Sequence, residues 1–345
     1  MSQVKVLVVD DSATMRAMIK TVLRSDPSIE IIGEAGDAYE ARDLIKKLNP
    51  DVITLDIEMP RMSGLEFLEK IMTLRPMPVV MLSGLTQKGA DDTIEALSMG
   101  AFDCFAKPTS GDFIQALSGL ADVVKAAASY SPAKRADNKT QETQGEMRKF
   151  NKSVISIGSS TGGVEALMTL LSSFPKNCPA TIITQHMPAT FLSTFADRLD
   201  RTAEPSVSLA YNGAPLVPGQ IYLAPGGDYH LEVRGRTQLQ CQLTEGALVS
   251  GHRPSVNVMM HSMALAAKQR ALGVMLTGMG RDGAEGLLAI RRAGGRTLGQ
   301  DAASSVVYGM PKSAFEIGAV EKQIPLSRMA NKILSLCQIS ETVKA

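Results

Sequence analysis

The chain has 345 residues, 44% of them hydrophobic and 21% charged, with a formal net charge of +1. That length exceeds one ordinary compact core and predicts two domains of the usual size, roughly 100 to 200 residues each. No apolar run approaches the roughly 18 residues of a membrane span, the charge is too mild to argue for nucleic acid, and the opening MSQVKVLVVDD lacks a secretory pattern, so a cytoplasmic protein is expected.

Residues 1–125 alternate short apolar runs with amphipathic segments. Strands are expected at VKVLVV (4–9), IEIIGEA (29–35), DVITLD (51–56), PVVMLS (78–83) and FDCFAK (102–107), with helices near 13–24, 37–47, 63–74, 88–98 and 112–127. This alternation predicts a parallel sheet covered by helices on both faces.

The strand ends of this half carry the chemistry. Asp10 and Asp11 follow the first strand and Asp56 closes the third, and ligands of open parallel sheets bind outside the carboxyl ends of the strands. Three carboxylates in one crevice need a counter-ion, and a hard cation such as Mg²⁺ suits oxygen ligands. Ser83 and Lys107 end the fourth and fifth strands, where a hydroxyl and an ammonium would bind an anion placed on Asp56, making Asp56 a phosphoryl acceptor. A single aspartate at a strand end is more often a helix cap or turn residue, but several such residues at successive strand ends are harder to dismiss.

VVDDS, TLDIEMPRMSG, MLS and AKP together resemble a response-regulator receiver domain over about residues 3–125. The resemblance implies a flavodoxin-like (βα)5 fold and phosphorylation of Asp56 by a histidine kinase. It also implies Mg²⁺ held by Asp10, Asp11, Asp56 and the backbone carbonyl of Glu58, with Ser83 and Lys107 on the phosphoryl group. One position departs: receivers usually carry Tyr or Phe three residues before the lysine, and here Cys104 stands there beside Phe105.

Residues 126–150 lack apolar periodicity and are expected to be a linker. From Ser153 the alternation resumes with SVISIG, a helix at 163–173, ATIITQ, a helix near 190–199, GQIYLAP and YHLEVR, a helix at 255–269, LGVMLTG, a helix at 283–293 and RTLGQ. A second α/β domain over 151–345 is expected, doubly wound and mostly parallel, with a small antiparallel hairpin in its middle.

GSSTG (158–162) fits the G-x-S-x-G turn that exposes a serine Oγ between a strand and a helix. A phosphate-cradling loop is the rival, but Ser160 stands where a dinucleotide fingerprint needs glycine, and no Gly-Lys-Ser/Thr follows. A serine nucleophile needs a base and an orienting group. Of the four histidines, His186 ends the strand after the Ser160 unit and shares its rim. His230 lies in an alternating strand with one face expected to be solvated, His252 in the loop SGHRPS and His261 in a Met-rich helix. Asp282, after a third buried strand and glycine turn, is the orienting candidate, with a cap on the following helix as its ordinary alternative.

The order Ser, His, Asp departs from that of α/β-hydrolases. IGSSTGG, QHMP, YLAPGGDYH, HRPSVN and LTGMGRDGAEG instead resemble the catalytic domain of chemotaxis protein-glutamate methylesterases over nearly all of residues 152–340. The resemblance implies Ser160 as nucleophile, His186 as general base and acid, Asp282 as orienter, and Thr161 with the backbone amide of Met279 at the oxyanion hole. It further implies methyl-accepting chemotaxis receptors as substrate, deamidation of receptor glutamines, no cofactor in the catalytic domain, no membrane insertion and a monomer.

Residues 1–125 hold 13 basic against 19 acidic side chains, and residues 151–345 hold 18 against 13. This asymmetry motivates the expectation that the first domain packs over the Ser160 rim until Asp56 is phosphorylated. Cys104, Cys178, Cys241 and Cys337 form no metal or redox spacing and are expected to be free thiols. Two other functions fit the same residues: a receiver driving a binding module, with GSSTGG a mere turn, and a hydrolase of small esters or acylated lysines.

Overall fold

The computed structural model describes residues 3–107, 117, 119–130 and 149–339. The chain divides into two compact units, 1–137 and 138–345. Most of the expected 126–150 linker, and the start of the helix expected at 112–127, lie outside the described residues.

The first unit holds five parallel strands, β1 (Val4–Val9), β2 (Ile29–Ala35), β3 (Val52–Asp56), β4 (Val79–Ser83) and β5 (Asp103–Ala106), in the order β2-β1-β3-β4-β5. The helices are α1 (Ala13–Arg24), α2 (Ala38–Leu48), α3 (Gly64–Leu74), α4 (Gln87–Met99) and α5 (Leu120–Ala128). β3 and β4 are buried throughout because helices cover both sheet faces, which is why their sequences read as unbroken apolar runs rather than alternating ones. The caps match the sequence: Ser12, Asp37 and Thr86 accept N-terminal amides of α1, α2 and α4, and Ser63 forms a capping box with Glu66. Strand order reverses between β1 and β3, and that crevice is where Asp10 and Asp56 emerge.

The second unit is built on seven strands: β6 (Val154–Ser159), β7 (Thr181–Gln185), β8 (Ser206–Leu209), β9 (Gln220–Leu223), β12 (Ala271–Met275), β13 (Arg296–Gln300) and β14 (Lys322–Ile324). They are ordered β14-β13-β12-β6-β7-β9-β8, and every pairing is parallel. The antiparallel pair, β10 (Tyr229–Arg234) and β11 (Gln240–Glu245), is a separate ribbon. Helices α6 (Gly163–Leu171), α7 (Ala189–Thr202), α8 (Val256–Ala267), α9 (Ala284–Arg292), α10 (Met310–Glu316) and α11 (Leu326–Cys337) complete the unit. Met259, Met260 and Met263 of α8 are fully buried in a core shared with Leu231, Val233, Leu287 and Ile290. His261 of the same helix is exposed.

The chain leaves β6 toward β7, β9 and β8, then returns to β12 on the other side of β6. The switch point of the sheet therefore lies at the carboxyl end of β6. Gly158 is level with Met275 on one side, and Ser159 with Gln185 on the other, so the turns after β12, β6 and β7 open on one rim.

Candidate functional site

Ser160, His186 and Asp282 follow β6, β7 and β12, three neighbouring strands of one rim. The serine turn is held from both sides. Ser160 N donates to Thr277 O (3.0 Å) and Gly163 N to Ser160 O (2.7 Å). Gln185 joins the ends of β6 and β7: its amide donates to Ser160 O (3.0 Å) and His186 O (3.2 Å), and its Oε1 accepts Ser159 Oγ (2.6 Å). Thr277 Oγ1 donates to Thr161 O (2.9 Å) and accepts Val307 N (2.9 Å).

Two glycines let this turn close. Gly162 has φ +76°, the left-handed region that disfavours a side chain. Gly278 passes so near that a Cβ there would lie 2.4 Å from Met310 Sδ and 2.8 Å from Ser160 Cβ.

The His186 side chain is 5% exposed, and its Nε2 lies 2.9 Å from Asp282 Oδ2. A carboxylate only accepts, so Nε2 carries a proton, and in the neutral ring the lone pair is on Nδ1. Nδ1 is buried and has no hydrogen-bond partner among the described residues. Asp282, 1% exposed, also accepts Val256 N on Oδ2 (2.6 Å), and Ser255 Oγ (2.8 Å) and Asn257 N (3.3 Å) on Oδ1. Burial would raise its pKa, but the His186 bond and charge, with Ser255 and Val256, hold it below the ordinary carboxylate value. The carboxylate thus sits on the N-terminus of α8, where amides and the helix dipole favour negative charge. The cap on its own following helix, the ordinary alternative for an aspartate here, is not its role: Gly283 occupies that position in α9.

Two histidines that the sequence left in the background flank this group. His252 stacks on His186, with ring centroids 3.7 Å apart and planes 6° from parallel. Burial and the neighbouring His186 push its pKa down to about 4 against the pull of Asp282, so it is neutral near pH 7. His230, expected on a strand with one solvated face, is 3% exposed and packs inward behind Ser255. The sequence YHLEVR alternates strictly and carries no signal of this; only in the fold are His230 and Leu231 both buried.

In the first unit, Asp10 and Asp56 are 0% and 2% exposed, Asp11 is exposed, and carboxylate oxygens of the three lie within 4.8 Å of one another. Lys107 Nζ lies 2.8 Å from Asp10 Oδ2 and 2.7 Å from Asp56 Oδ1. One ammonium between two buried carboxylates does not neutralise both. Burial accordingly pushes the Asp56 pKa up to about 6, against the Lys107 hydrogen bond and charge. This excess of negative charge on oxygen donors suits a divalent cation. Glu58 is exposed, and its amide donates to Asp56 Oδ1 (3.2 Å). Ser83 Oγ is turned to Gly89 O (2.9 Å). Cys104, half-buried, meets Thr93 Oγ1 at 3.3 Å, and Thr93 Oγ1 also donates to Gly89 O (2.6 Å).

A carboxyl that titrates higher when folded than its unfolded value of 3.8 favours the fold below about pH 4, and that contribution is lost as pH rises to about 6. Asp56→Asn should therefore stabilise the chain at pH 7.5 without added divalent cation, by about 1–3 kcal/mol, and by less at pH 5. Denaturant midpoints of the first unit's transition at the two pH values check this.

Residues 155–333 match the family model of the CheB methylesterase domain, and residues 6–118 match that of the response regulator receiver domain. The protein-glutamate methylesterase/protein-glutamine glutaminase 1 of Caulobacter vibrioides is 57% identical, over 97% of this chain and 98% of its own. A protein of Agrobacterium fabrum named protein-glutamate methylesterase/protein-glutamine glutaminase is 55% identical, over 96% of each chain. The crystal structure of the Thermotoga maritima CheB methylesterase catalytic domain covers 54% of this chain and 99% of its own at 34% identity, with a TM-score of 0.52.

Proposed function

The chain belongs to the CheB methylesterase family in its two-domain form with a response-regulator receiver, and from that premise we propose that Ser160, His186 and Asp282 form the catalytic group of a protein-glutamate methylesterase and protein-glutamine glutaminase. The observation that carries the assignment is the pairing of His186 Nε2 with a buried Asp282, which leaves Nδ1 as the basic nitrogen on the rim where Ser160 emerges.

His186 Nδ1 takes the Ser160 Oγ proton as Oγ attacks the γ-carbonyl of a methyl-esterified glutamate in a chemotaxis receptor. Asp282 stabilises the imidazolium that forms. The tetrahedral oxyanion needs donors already in place, each worth on the order of 3 kcal/mol. Ser160's own amide is committed to Thr277 O. The family resemblance gives the hole to Thr161 and the Met279 amide. Collapse breaks the ester C–O bond, and methanol departs with the proton from Nδ1. Water, deprotonated by the same nitrogen, then cleaves the acyl-enzyme to give glutamate and restore Ser160. With a glutamine substrate ammonia leaves in place of methanol.

In the receiver Asp56 accepts the phosphoryl group from a histidine kinase. Asp10, Asp11, Asp56 and the Glu58 carbonyl would hold Mg²⁺, which neutralises phosphoryl charge when bound. Lys107 already bridges Asp10 and Asp56 and would pair with the phosphoryl oxygens. Ser83 would exchange Gly89 O for one of them. The expected domains, 1–125 as receiver and 151–345 as catalytic domain joined by a linker over 126–150, serve a cytoplasmic monomer. The acidic receiver restrains the basic catalytic half until Asp56 is phosphorylated.

A small-molecule phosphodonor with Mg²⁺ is expected to raise methanol release from methylated receptor membranes about tenfold, which needs only about 1.4 kcal/mol of coupling. Asp56→Asn should keep the basal rate and lose the stimulation. An undiminished response in that variant would remove Asp56 from the switch.

A further inference from the structure

We infer that His230, whose ring nitrogens bond Ser255 N and Ala247 O, is a positioning residue for the catalytic carboxylate; this rests on Asp282 being the orienter of His186. His230 sits on β10, in the ribbon outside the main sheet, and is 3% exposed. Its Nδ1 lies 3.2 Å from Ser255 N, and its Nε2 lies 2.9 Å from Ala247 O. An amide only donates and a carbonyl only accepts, so the ring is neutral with its proton on Nε2. Protonation or the other tautomer would set N–H against N–H.

Ser255 is the residue that His230 fixes and the one on which Asp282 depends. It is fully buried, so its backbone N–H needs an acceptor inside the protein, and His230 Nδ1 is that acceptor. Ser255 is also the N-cap of α8: its hydroxyl accepts Val258 N and donates to Asp282 Oδ1 at 2.8 Å. The next amide, Val256 N, donates to Asp282 Oδ2, the oxygen facing His186 Nε2. A shift of Ser255 therefore moves two of the three donors that the start of α8 gives the carboxylate, the third being Asn257 N. Positions in such a chain matter because displacing a catalytic group by about 1 Å can cost about 100-fold in rate.

Anchorage of the ribbon does not rest on this ring. Val233 N donates to Ser262 Oγ of α8 (2.9 Å), while Arg253 ties the intervening loops through Gly227 O, Gly246 O and Asp228 Oδ1. Loss of the His230 acceptor should thus perturb the cap of α8 more than the fold.

The test compares His230→Asn with His230→Gln in the full chain. Asn places an oxygen where Nδ1 stands and retains the acceptor for Ser255 N. Gln places its amide near the Nε2 position, retains a donor to Ala247 O and loses that acceptor. The readouts are kcat and KM for methanol release from methylated receptor membranes with phosphodonor, the melting temperature, and the low-field proton resonance of His186 Nε2–H. His230→Asn should hold kcat within about threefold of wild type. His230→Gln should lower kcat by about 10- to 100-fold, leave KM within twofold and shift the low-field resonance, with the two variants melting close together. Equal kcat in the two variants, an effect confined to KM, or an unmoved resonance in His230→Gln would overturn the inference. Ser160→Ala run alongside separates the two failures: if it turns over as wild type does, the catalytic reading falls, whereas Ser160-dependent turnover with equivalent Asn and Gln variants removes only the role of His230.

Discussion

Ser160→Ala is expected to lower kcat for ester hydrolysis by about 10⁴-fold or more, with KM changed by no more than a few-fold. The methyl group of alanine keeps every backbone bond that holds the turn, namely Ser160 N to Thr277 O, Gly163 N to Ser160 O and Gln185 Nε2 to Ser160 O. Oxyanion donors and substrate binding survive, so a residual rate above the uncatalysed one remains. What is lost is the oxygen that forms the acyl bond. The same melting temperature as wild type, measured beside methanol release at saturating receptor, confines the loss to chemistry.

Asp282→Asn should cost about 10³- to 10⁴-fold in kcat and about 1–3 kcal/mol in stability. Four donors converge on this carboxylate: Ser255 Oγ and Asn257 N on one oxygen, Val256 N and His186 Nε2 on the other. Replacing either oxygen by NH₂ sets donor against donor, and the ion that would stabilise a His186 imidazolium is gone. The stability loss distinguishes Asp282 from Ser160, since Ser160 has no comparable structural load. Steady-state kinetics and denaturant midpoints of the same preparation read both effects.

The rim itself was legible in the sequence because buried parallel strands read as apolar runs, and the residue after each run is where a doubly wound sheet exposes side chains. Ser160, His186 and Asp282 stand after β6, β7 and β12 for that reason, as Asp10, Asp56, Ser83 and Lys107 stand at the ends of receiver strands. Which strands are neighbours was not legible: β12 lies more than 100 residues beyond β6 in the chain yet pairs directly with it. The partners that aim Asp282 come from the start of α8, a segment whose sequence reads only as a capped helix. His252 belongs to a loop without periodicity, and only the folded chain stacks it on His186. Short elements escaped for a simpler reason. β14 has three residues and α10 seven, too few for a pattern to rise above composition. The ribbon's second strand, β11, is four-sixths exposed or half-buried polar sequence, QCQLTE, and carries little apolar signal.

The departure at Cys104 gains a physical description. Where an aromatic ring would swing between buried and exposed positions, a small thiol rests against Thr93, with burial pushing its pKa up to about 12. Thr93 and Ser83 share the Gly89 carbonyl of α4 as their acceptor.

The measurement that tests the covalent Ser160 mechanism most directly is partition with hydroxylamine: the full chain, phosphodonor and Mg²⁺ are mixed with methylated receptor, and glutamyl hydroxamate on the receptor is quantified beside methanol. An acyl-enzyme on Ser160 is open to either nucleophile, so hydroxamate should form in proportion to hydroxylamine, at an unchanged rate of methanol release where acylation limits turnover, and vanish with Ser160→Ala. Methanol release that yields glutamate alone at every hydroxylamine concentration would contradict the account and point to direct attack by water.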